Sequence, residues 1–270
     1  MTIKILVTND DGINAPGLAV AENIAKDIVG EGGEVITVAP AVDQSGVGHS
    51  ISYLRPSLIT KHNDSRYSVE GSPADCVLAG IYYVMKNNKP DLILSGVNNG
   101  HNLAEDILYS GTVGAAMEGA LQGVKSIALS QCYSKESLMF TNIFESASQS
   151  GAKICSELMA LKNEKLKAQN VFYNINFPPI KNSEVKGVKI CKQGQRLTGT
   201  FGMDSLISPN GRTFLMVNHK PRQEESEKSH KYKSDIEMIK KNFITVTPLE
   251  ADLTKYETLT NLEKQLANDY

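Results

Sequence analysis

Short apolar segments rich in β-branched residues alternate along this chain with longer segments of helical periodicity. The predicted strands are residues 3–8, 34–40, 91–96, 124–130 and 171–177. The predicted helices are residues 16–30, 72–87, 110–123 and about 136–162. Strands that are apolar on both faces are typical of a parallel sheet covered by helices on both sides. The alternation therefore predicts an α/β fold with a doubly wound, mostly parallel sheet.

The second half of the chain is less regular. Residues 181–241 contain turn signals, a charged run at 222–235 and two short candidate strands at 187–191 and 212–217. They predict an extended C-terminal arm. A strand within 242–254 and a helix at 258–269 follow. We therefore divide the chain into a core (1–180), an arm (181–241) and a C-terminal strand and helix (242–270).

Composition narrows the possible functions. The chain has 270 residues, 41% of them hydrophobic, which suits one large domain with an appendage. A formal net charge of −2 provides no field that would hold a nucleic-acid polymer. The four cysteines lie too far apart for a CxxC zinc site, and neither a signal peptide nor a membrane-spanning apolar segment is evident. We expect a reduced, cytoplasmic protein that does not associate with membranes.

Asp10 and Asp11 follow the first predicted strand, and Gly12 comes directly after them. Ligands of open parallel sheets bind beyond the carboxyl ends of the strands. Both carboxylates reach one point only if the chain turns there, which Gly12 permits. Two close carboxylates repel each other unless one is protonated or a cation lies between them, and oxygen ligands favour Mg²⁺, Mn²⁺ or Ca²⁺ over zinc. The alternative is that both residues serve only in the turn and helix cap.

Two further loops would share this edge of the sheet. Ser45 and Asn98 follow the second and third predicted strands, and each could offer a neutral oxygen either to a metal ion or to its own backbone. Ser110, Gly111 and Thr112 lie at a predicted helix start, where free N–H groups and the helix dipole bind phosphate. A cation held by two carboxylates beside such a helix start predicts phosphate ester chemistry.

Five ordered motifs carry a family resemblance: TNDDGINAPG, APAVDQSGVGHS, GSPADCV, DLILSGVNNGHNLAEDILYSGTVGAAMEGA and ITVTPLEADLT. They resemble the signatures of the survival protein SurE family, which are metal-dependent 5′-nucleotidases acting on nucleoside monophosphates. The resemblance is dense over residues 3–130 and returns at 242–254. It implies that Asp10, Asp11, Ser45 and Asn98 hold the metal ion.

The same resemblance implies a Rossmann-like sheet with an extended arm and a C-terminal segment that are exchanged between subunits in dimers or tetramers. This chain departs from the family pattern in the arm. Lys240, Lys241 and Asn242 precede the ITVTPL strand, where family members usually have a small residue or glycine. The arm geometry and the oligomeric state are therefore predicted less directly than the metal site.

The resulting hypothesis is hydrolysis of nucleoside 5′-monophosphates to nucleoside and phosphate, with one Mg²⁺ or Mn²⁺ per subunit. The metal ion would polarise the phosphoryl oxygens, and either Asp10 or Asp11 would also act as the general base. The residues expected to bind the phosphate are Asn98, Ser110, Gly111 and Thr112. Nucleoside 3′-monophosphates and short polyphosphate are further candidate substrates.

Two other classes of function compete with this hypothesis. A dinucleotide-dependent oxidoreductase is disfavoured, because TNDDGINAPG lacks the GxGxxG spacing. A non-catalytic nucleotide-binding sensor or assembly protein remains the alternative. His49 could line the pocket or form a structural hydrogen bond, Glu118 stays unassigned, and Cys76 is predicted to lie in the core. The chain has no Trp, and its sequence does not place an aromatic pair for a base.

Two segments favour self-association. Residues 181–241 show little sign of a core of their own. The apolar strand 243–249 would form a hazardous exposed edge unless it pairs. Exchange of the arm or of the terminal strand between subunits would satisfy both segments. We therefore expect a homodimer at least, and the family resemblance extends this expectation to a homodimer or a homotetramer.

Overall fold

Alternate residues of the first strand pack on opposite sides of a central sheet. We describe residues 2–161, 170–196, 201–219 and 231–266 of a computed structural model. Ile5 and Val7 belong to one large apolar cluster, Leu6 belongs to another, and all three side chains are fully buried. A strand that is buried on both faces needs a layer of helices on each side, and the structure provides both layers.

Eleven strands are present among the described residues. They are β1 (Lys4–Thr8), β2 (Glu34–Pro40), β3 (Ile59–Asn63), β4 (Arg66–Val69), β5 (Leu92–Asn99), β6 (Lys125–Gln131), β7 (Phe172–Phe177), β8 (Val188–Ile190), β9 (Phe201–Ile207), β10 (Thr213–His219) and β11 (Ile244–Leu249). Nine of them form one sheet in the order β3-β4-β2-β1-β5-β6-β7-β11-β8, and β9 pairs with β10 separately. Strands β4, β2, β1, β5, β6 and β7 run parallel to one another. The predicted mostly parallel α/β sheet is confirmed.

Helices lie on both faces of this sheet. The helices of the described residues are α1 (Pro16–Val29), α2 (Pro73–Ala79), α3 (Gly111–Leu121), α4 (Glu145–Ala160), α5 (Asp235–Lys240) and α6 (Tyr256–Leu266). A π-helical turn spans Gly80–Val84, and 3₁₀ turns span Ala104–Leu108, Ser137–Met139 and Asn182–Glu184. Helices α1 and α4 pack together on one face, and α2 and α3 pack together on the other. This is the arrangement of a doubly wound sheet.

Helix boundaries follow local chemistry at α2 and differ from the prediction at α4. Ser72 Oγ accepts the Asp75 N–H at 3.1 Å, and Asp75 Oδ2 accepts the Ser72 N–H at 2.9 Å, which makes a complete capping box. The helix predicted at 136–162 is instead a 3₁₀ turn followed by α4, and residue 162 lies outside the described part.

One hairpin of the main sheet was not predicted. Strands β3 and β4 pair antiparallel, and β4 adds parallel to β2 at this end of the sheet. The segment ITKHN of β3 is mostly polar and exposed, so its sequence lacks the apolar pattern of the other strands. It is held by edge pairing and not by burial.

The C-terminal strand corrects part of the assembly argument. Strand β11 pairs antiparallel with β7 and parallel with β8 of its own chain. Both backbone edges of β11 are therefore paired within one subunit, so an unpaired edge gives no reason to exchange this strand with a partner. Strand β8 extends the main sheet and Ile236 and Ile239 of α5 are buried, so the segment predicted as an arm at 181–241 is also part of the folded core.

Two other parts of the C-terminal half are largely exposed. The β9–β10 hairpin forms its own two-stranded sheet, and most of its described side chains face solvent. Helix α6 has no buried residue. The helix predicted at 258–269 corresponds to α6, with 267–269 outside the described residues. Most of the charged run 222–235 also lies outside them, at 222–230.

Candidate active site

Loops at the carboxyl ends of three parallel strands surround one cleft of about 290 Å³. Asp10 and Asp11 come from the loop after β1, Ser45 from the loop after β2, and Asn98 from the end of β5. The N-cap residue of α3, Ser110, completes this group. All four residues predicted to be metal ligands thus line the same cavity. Of the predicted phosphate-binding residues, Asn98 and Ser110 line it, and Gly111 and Thr112 do not.

Asp10 is held in the wall of the cleft by Thr112. The Thr112 hydroxyl donates to Asp10 Oδ1 at 2.5 Å, and the Thr112 backbone N–H donates to Asp10 Oδ2 at 3.1 Å. Asp10 is only 4% exposed, and burial raises the pKa of its carboxyl from 3.8 to about 6, with a smaller contribution from the charge of Asp11. Thr112 was predicted to bind phosphate, but in this structure its backbone N–H and its hydroxyl both donate to Asp10.

Asp11, the next residue, is more exposed to solvent than Asp10. Its Oδ2 accepts the backbone N–H of Asn99 at 3.3 Å. Burial raises the pKa of Asp11, and the negative charge of Asp43 raises it further, whereas the Asn99 hydrogen bond lowers it. Gly12 adopts a φ of 97° immediately after this pair, so the expected turn is present.

Ser45 is presented by a short turn of its own loop. Its hydroxyl and its backbone N–H both donate to Asp43 Oδ1, at 2.6 and 2.7 Å. The Gln44 N–H donates to the carbonyl of Asp10 at 2.8 Å, which ties this loop to the aspartate pair. The Ser45 hydroxyl oxygen keeps its acceptor capacity. Asp43 was not nominated from the sequence, although its spacing to Ser45 is that of an Asx turn.

Asn98 contributes a side-chain amide to the cleft. Its Nδ2 donates to the carbonyl of Gly100 at 3.2 Å, which leaves the side-chain oxygen without a partner among the described residues. The loop that follows is fixed by Asn102, which is buried. Asn102 donates its backbone N–H to Asn176 Oδ1 at 2.8 Å and its Nδ2 to Ser130 Oγ at 2.7 Å. The loop therefore rests on β6 and β7.

The start of α3 lies at the cleft, which its N-cap residue Ser110 lines. Ser110 Oγ accepts the N–H of Val113 at 3.1 Å and so caps the helix. The N–H groups of Ser110 and Gly111 donate to no residue that the structure describes. A Cβ at Gly111 would lie 2.8 Å from Asp10 Cβ and 2.9 Å from Pro73 Cγ. Only glycine allows this helix start to approach Asp10 so closely.

The Ser45 loop is also anchored further along, by contacts that were not predicted. The Gly48 N–H donates to the carbonyl of Tyr109 at 2.9 Å. His49 Nε2 lies 2.6 Å from Glu118 Oε2, and the side chain of Glu118 is only 4% exposed. The hydrogen bond from His49 is the main cause of a lowered pKa at Glu118. His49 and Glu118 thus connect this loop to α3 and act as structural partners.

The donor set of the cleft fits a divalent cation. Asp10 and Asp11 supply two carboxylates, Ser45 and Asn98 supply neutral oxygens, and neither carboxylate has an ion pair with a described residue. Burying a carboxylate without a counter-ion is costly, and burial is the main cause of the raised pKa of both carboxyls. Hard oxygen ligands suit Mg²⁺ or Mn²⁺.

A metal site led by histidine or cysteine is not found in the described part of the chain. No group of three or more His, Cys, Asp and Glu side chains is arranged to hold a metal ion there. Cys76 is buried and unpaired, as predicted for a core residue. Within those same residues, no helix combines the length and the apolar character that crossing a membrane requires.

Comparison with known proteins gives concordant results. The family model of survival protein SurE matches residues 5–200. The 5′-nucleotidase SurE of Jannaschia sp. (strain CCS1) is 49% identical over 263 residues, which cover 97% of this chain and 98% of the relative. The 5′-nucleotidase SurE of Ruegeria pomeroyi is 45% identical over 264 residues, covering 98% and 100%.

A solved structure agrees with the fold. The crystal structure of the Sure protein from Aquifex aeolicus matches with a TM-score of 0.77 and 32% sequence identity, covering 97% of this chain and 99% of that chain. The resemblance drawn from the five motifs is therefore confirmed over nearly the full length. This chain belongs to the survival protein SurE family.

Proposed function

We propose that the cleft between Asp10, Ser45, Asn98 and α3 is where this protein, a 5′-nucleotidase, hydrolyses nucleoside 5′-monophosphates to nucleoside and phosphate with one bound Mg²⁺ or Mn²⁺. The curated relatives of 45 to 49% identity carry the name 5′-nucleotidase. The observation that carries the proposal is the Asp10–Asp11 pair, whose carboxyl pKa values are raised and which lies directly beside the start of α3.

Different residues of the cleft would bind the cation and the phosphoryl oxygens. Asp10, Asp11, Ser45 and Asn98 would hold the cation, which would supply positive charge to the phosphoryl oxygens and favour a nucleophilic water. The N–H groups of Ser110, which lines the cleft, and of the adjacent Gly111 would receive the remaining phosphoryl oxygens.

Thr112 would orient the Asp10 carboxylate, and one of the aspartates would accept a proton. By donating to both Asp10 oxygens, Thr112 fixes the Asp10 carboxylate in one orientation. One aspartate must accept the proton of the attacking water. Asp11 is better placed for this task, because a single backbone N–H occupies its Oδ2, whereas both Asp10 oxygens already accept hydrogen bonds from Thr112.

Metal dependence and one matched pair of variants test this proposal. Purified protein should release phosphate from AMP with Mn²⁺ or Mg²⁺ and lose that activity in EDTA. Asp11→Asn should lower kcat/KM by about a hundredfold or more, as expected on loss of one preorganised electrostatic group. Asp27→Asn changes an exposed carboxylate on α1 and should leave the rate unchanged. Full activity in EDTA would refute the metal site.

A substrate panel separates the enzyme from its alternatives. Nucleoside 5′-monophosphates, nucleoside 3′-monophosphates and short polyphosphate should be compared under the same conditions. A protein that binds AMP but releases phosphate from none of these compounds would be a nucleotide sensor. The free N–H groups at α3 alone would suffice for a sensor, whereas the paired aspartates favour an enzyme.

We propose a homodimer or homotetramer as the working assembly. The β9–β10 hairpin exposes Leu215 and Val217, and α6 exposes Leu259 and Leu262. Exposed apolar side chains on these two elements favour contact with another subunit. A cytosolic location is part of the same proposal, and the absence of any disulfide among the four buried cysteines supports it.

A further inference from the structure

Three aromatic side chains line the cleft together with the proposed metal ligands. They are Tyr109, Tyr133 and Phe201. Each keeps much of its surface in solvent, with exposures of 47%, 55% and 38%. Large aromatic side chains are costly to leave exposed, and exposed apolar surface beside polar groups marks binding sites. The groups proposed to bind the cation and the phosphate do not include these rings.

The three rings come from separate parts of the fold. Tyr109 directly precedes Ser110, the N-cap of α3. Tyr133 follows β6, and its Cε1 lies 3.9 Å from the position that a Cβ of Gly100 would occupy. Phe201 is the first residue of the exposed β9–β10 hairpin. Three distant segments thus bring aromatic groups to one cavity.

Tyr109 and Phe201 also contact each other. Their ring centroids are 5.0 Å apart and their planes are at 89°, an edge-to-face arrangement. In such a pair the face of one ring is engaged by the edge of the other, so each ring is held in place by its neighbour. A flat ligand can then stack on a preformed surface without ordering a mobile side chain first.

The ligand must match both parts of the cleft. Two carboxylates suited to a cation and the N–H groups at the start of α3 favour a phosphate, and the aromatic side chains favour a planar ring. The cavity of about 290 Å³ is at the small end of ligand pockets. A phosphate joined through a small polar spacer to one aromatic ring system satisfies all three constraints.

We propose that Tyr109 and Phe201, with Tyr133, form the subsite for the nucleobase of the substrate. The base stacks on these rings while the phosphate lies between the aspartate pair and the start of α3. This inference rests on the proposed nucleotidase function and adds to it the residues that distinguish a nucleotide from other phosphate esters.

Steady-state kinetics with two substrates test the subsite. AMP carries a base, whereas glycerol 2-phosphate carries none. Tyr109→Ala and Phe201→Ala should each lower the ratio of kcat/KM for AMP to kcat/KM for glycerol 2-phosphate by about 5- to 100-fold, the range found when one base–aromatic stack is lost. Tyr109→Phe keeps the ring and should retain the wild-type ratio. Tyr83→Ala removes an exposed tyrosine that does not line the cleft and is the matched control.

Adenosine binding separates a failure of the subsite from a failure of the proposed function. Adenosine has no phosphate, so its binding by calorimetry depends on neither metal nor turnover. Tyr109→Ala should weaken adenosine binding by a similar factor, and Tyr109→Phe should not. Equal adenosine affinity in wild type and in both alanine variants, or an unchanged substrate ratio, would overturn the base subsite. Absence of hydrolysis of either ester with normal adenosine binding would instead overturn the nucleotidase proposal alone.

Discussion

Asp10→Asn should abolish the activity and at the same time stabilise the metal-free protein at neutral pH. Asp10 is 4% exposed and its charge has no ion-pair partner among the described residues. Asparagine has the same shape and can keep both hydrogen bonds. Its Oδ1 can accept the Thr112 N–H, and its Nδ2 can donate to the Thr112 hydroxyl, which then turns to act as acceptor. The substitution therefore removes the buried charge with little change in packing.

The magnitude follows from the pKa of Asp10. Burial raises this pKa from 3.8 to about 6, so between these values the folded protein holds a proton that the unfolded chain has released. Stability therefore falls as pH rises through this window, and the full cost is present above about pH 6. A shift of about two units corresponds to about 3 kcal/mol. An asparagine side chain cannot ionise, so the variant escapes this cost.

Urea unfolding in EDTA measures the effect. Wild type and Asp10→Asn should have similar stabilities near pH 4, and the variant should be more stable by about 3 kcal/mol at pH 8. Asp11→Asn is the matched control and should gain less, because Asp11 is more exposed than Asp10. Protein concentration must be held constant, since association with a partner subunit also changes stability. Added Mn²⁺ should stabilise wild type at pH 8 and not Asp10→Asn.

One result would refute this reasoning. If the difference in unfolding free energy between wild type and Asp10→Asn were the same at pH 4 and pH 8, ionisation of Asp10 would cost the fold nothing. The carboxylate would then be solvated or paired in the folded protein. The case for a cation between Asp10 and Asp11 would lose its electrostatic basis.

Three further predictions concern the surroundings of the site. Gly111→Ala places a Cβ 2.8 Å from Asp10 Cβ and should lower kcat/KM by more than tenfold, even though alanine favours helices; retained activity would show that α3 need not approach Asp10. His49→Ala removes the hydrogen bond to Glu118 and should raise the Mn²⁺ concentration needed for half-maximal activity about fivefold, equivalent to about 1 kcal/mol, with kcat at saturating metal within twofold of wild type. A loss confined to kcat would contradict a positioning role. A variant ending at residue 253 lacks α6 but keeps β11, and light scattering should show fewer subunits per particle than for the full chain. An unchanged number of subunits would show that the assembly does not depend on α6.

The partners of strand 243–249 are the part of the assembly that the sequence did not predict. The sequence presents 243–249 as an apolar strand in need of a partner, which is correct. It does not reveal that β7 and β8 of the same chain provide that partner. A variant ending near residue 235 would therefore lose a strand of the main sheet, and its mass would not report on subunit exchange.

Much of the fold was determined by local sequence pattern. Runs such as IKILVT and EVITVAP are apolar on both faces, so they can be satisfied only inside a sheet covered on two sides. Once these strands are parallel, their carboxyl ends meet at one edge. The loops that contain Asp10, Ser45 and Asn98 must then lie near one another. The grouping of these residues in one cleft could be predicted for this reason.

The tertiary structure decided the contacts that tune the cleft. Asp10 receives its hydrogen bonds from Thr112, which is 102 residues away, and His49 meets Glu118 across 69 residues. Tyr109 and Phe201 are brought together from opposite halves of the chain. Periodicity reports only which face of an element is buried. It does not show which distant side chains will be in contact. The environment of Asp10 and the aromatic subsite both depend on such contacts.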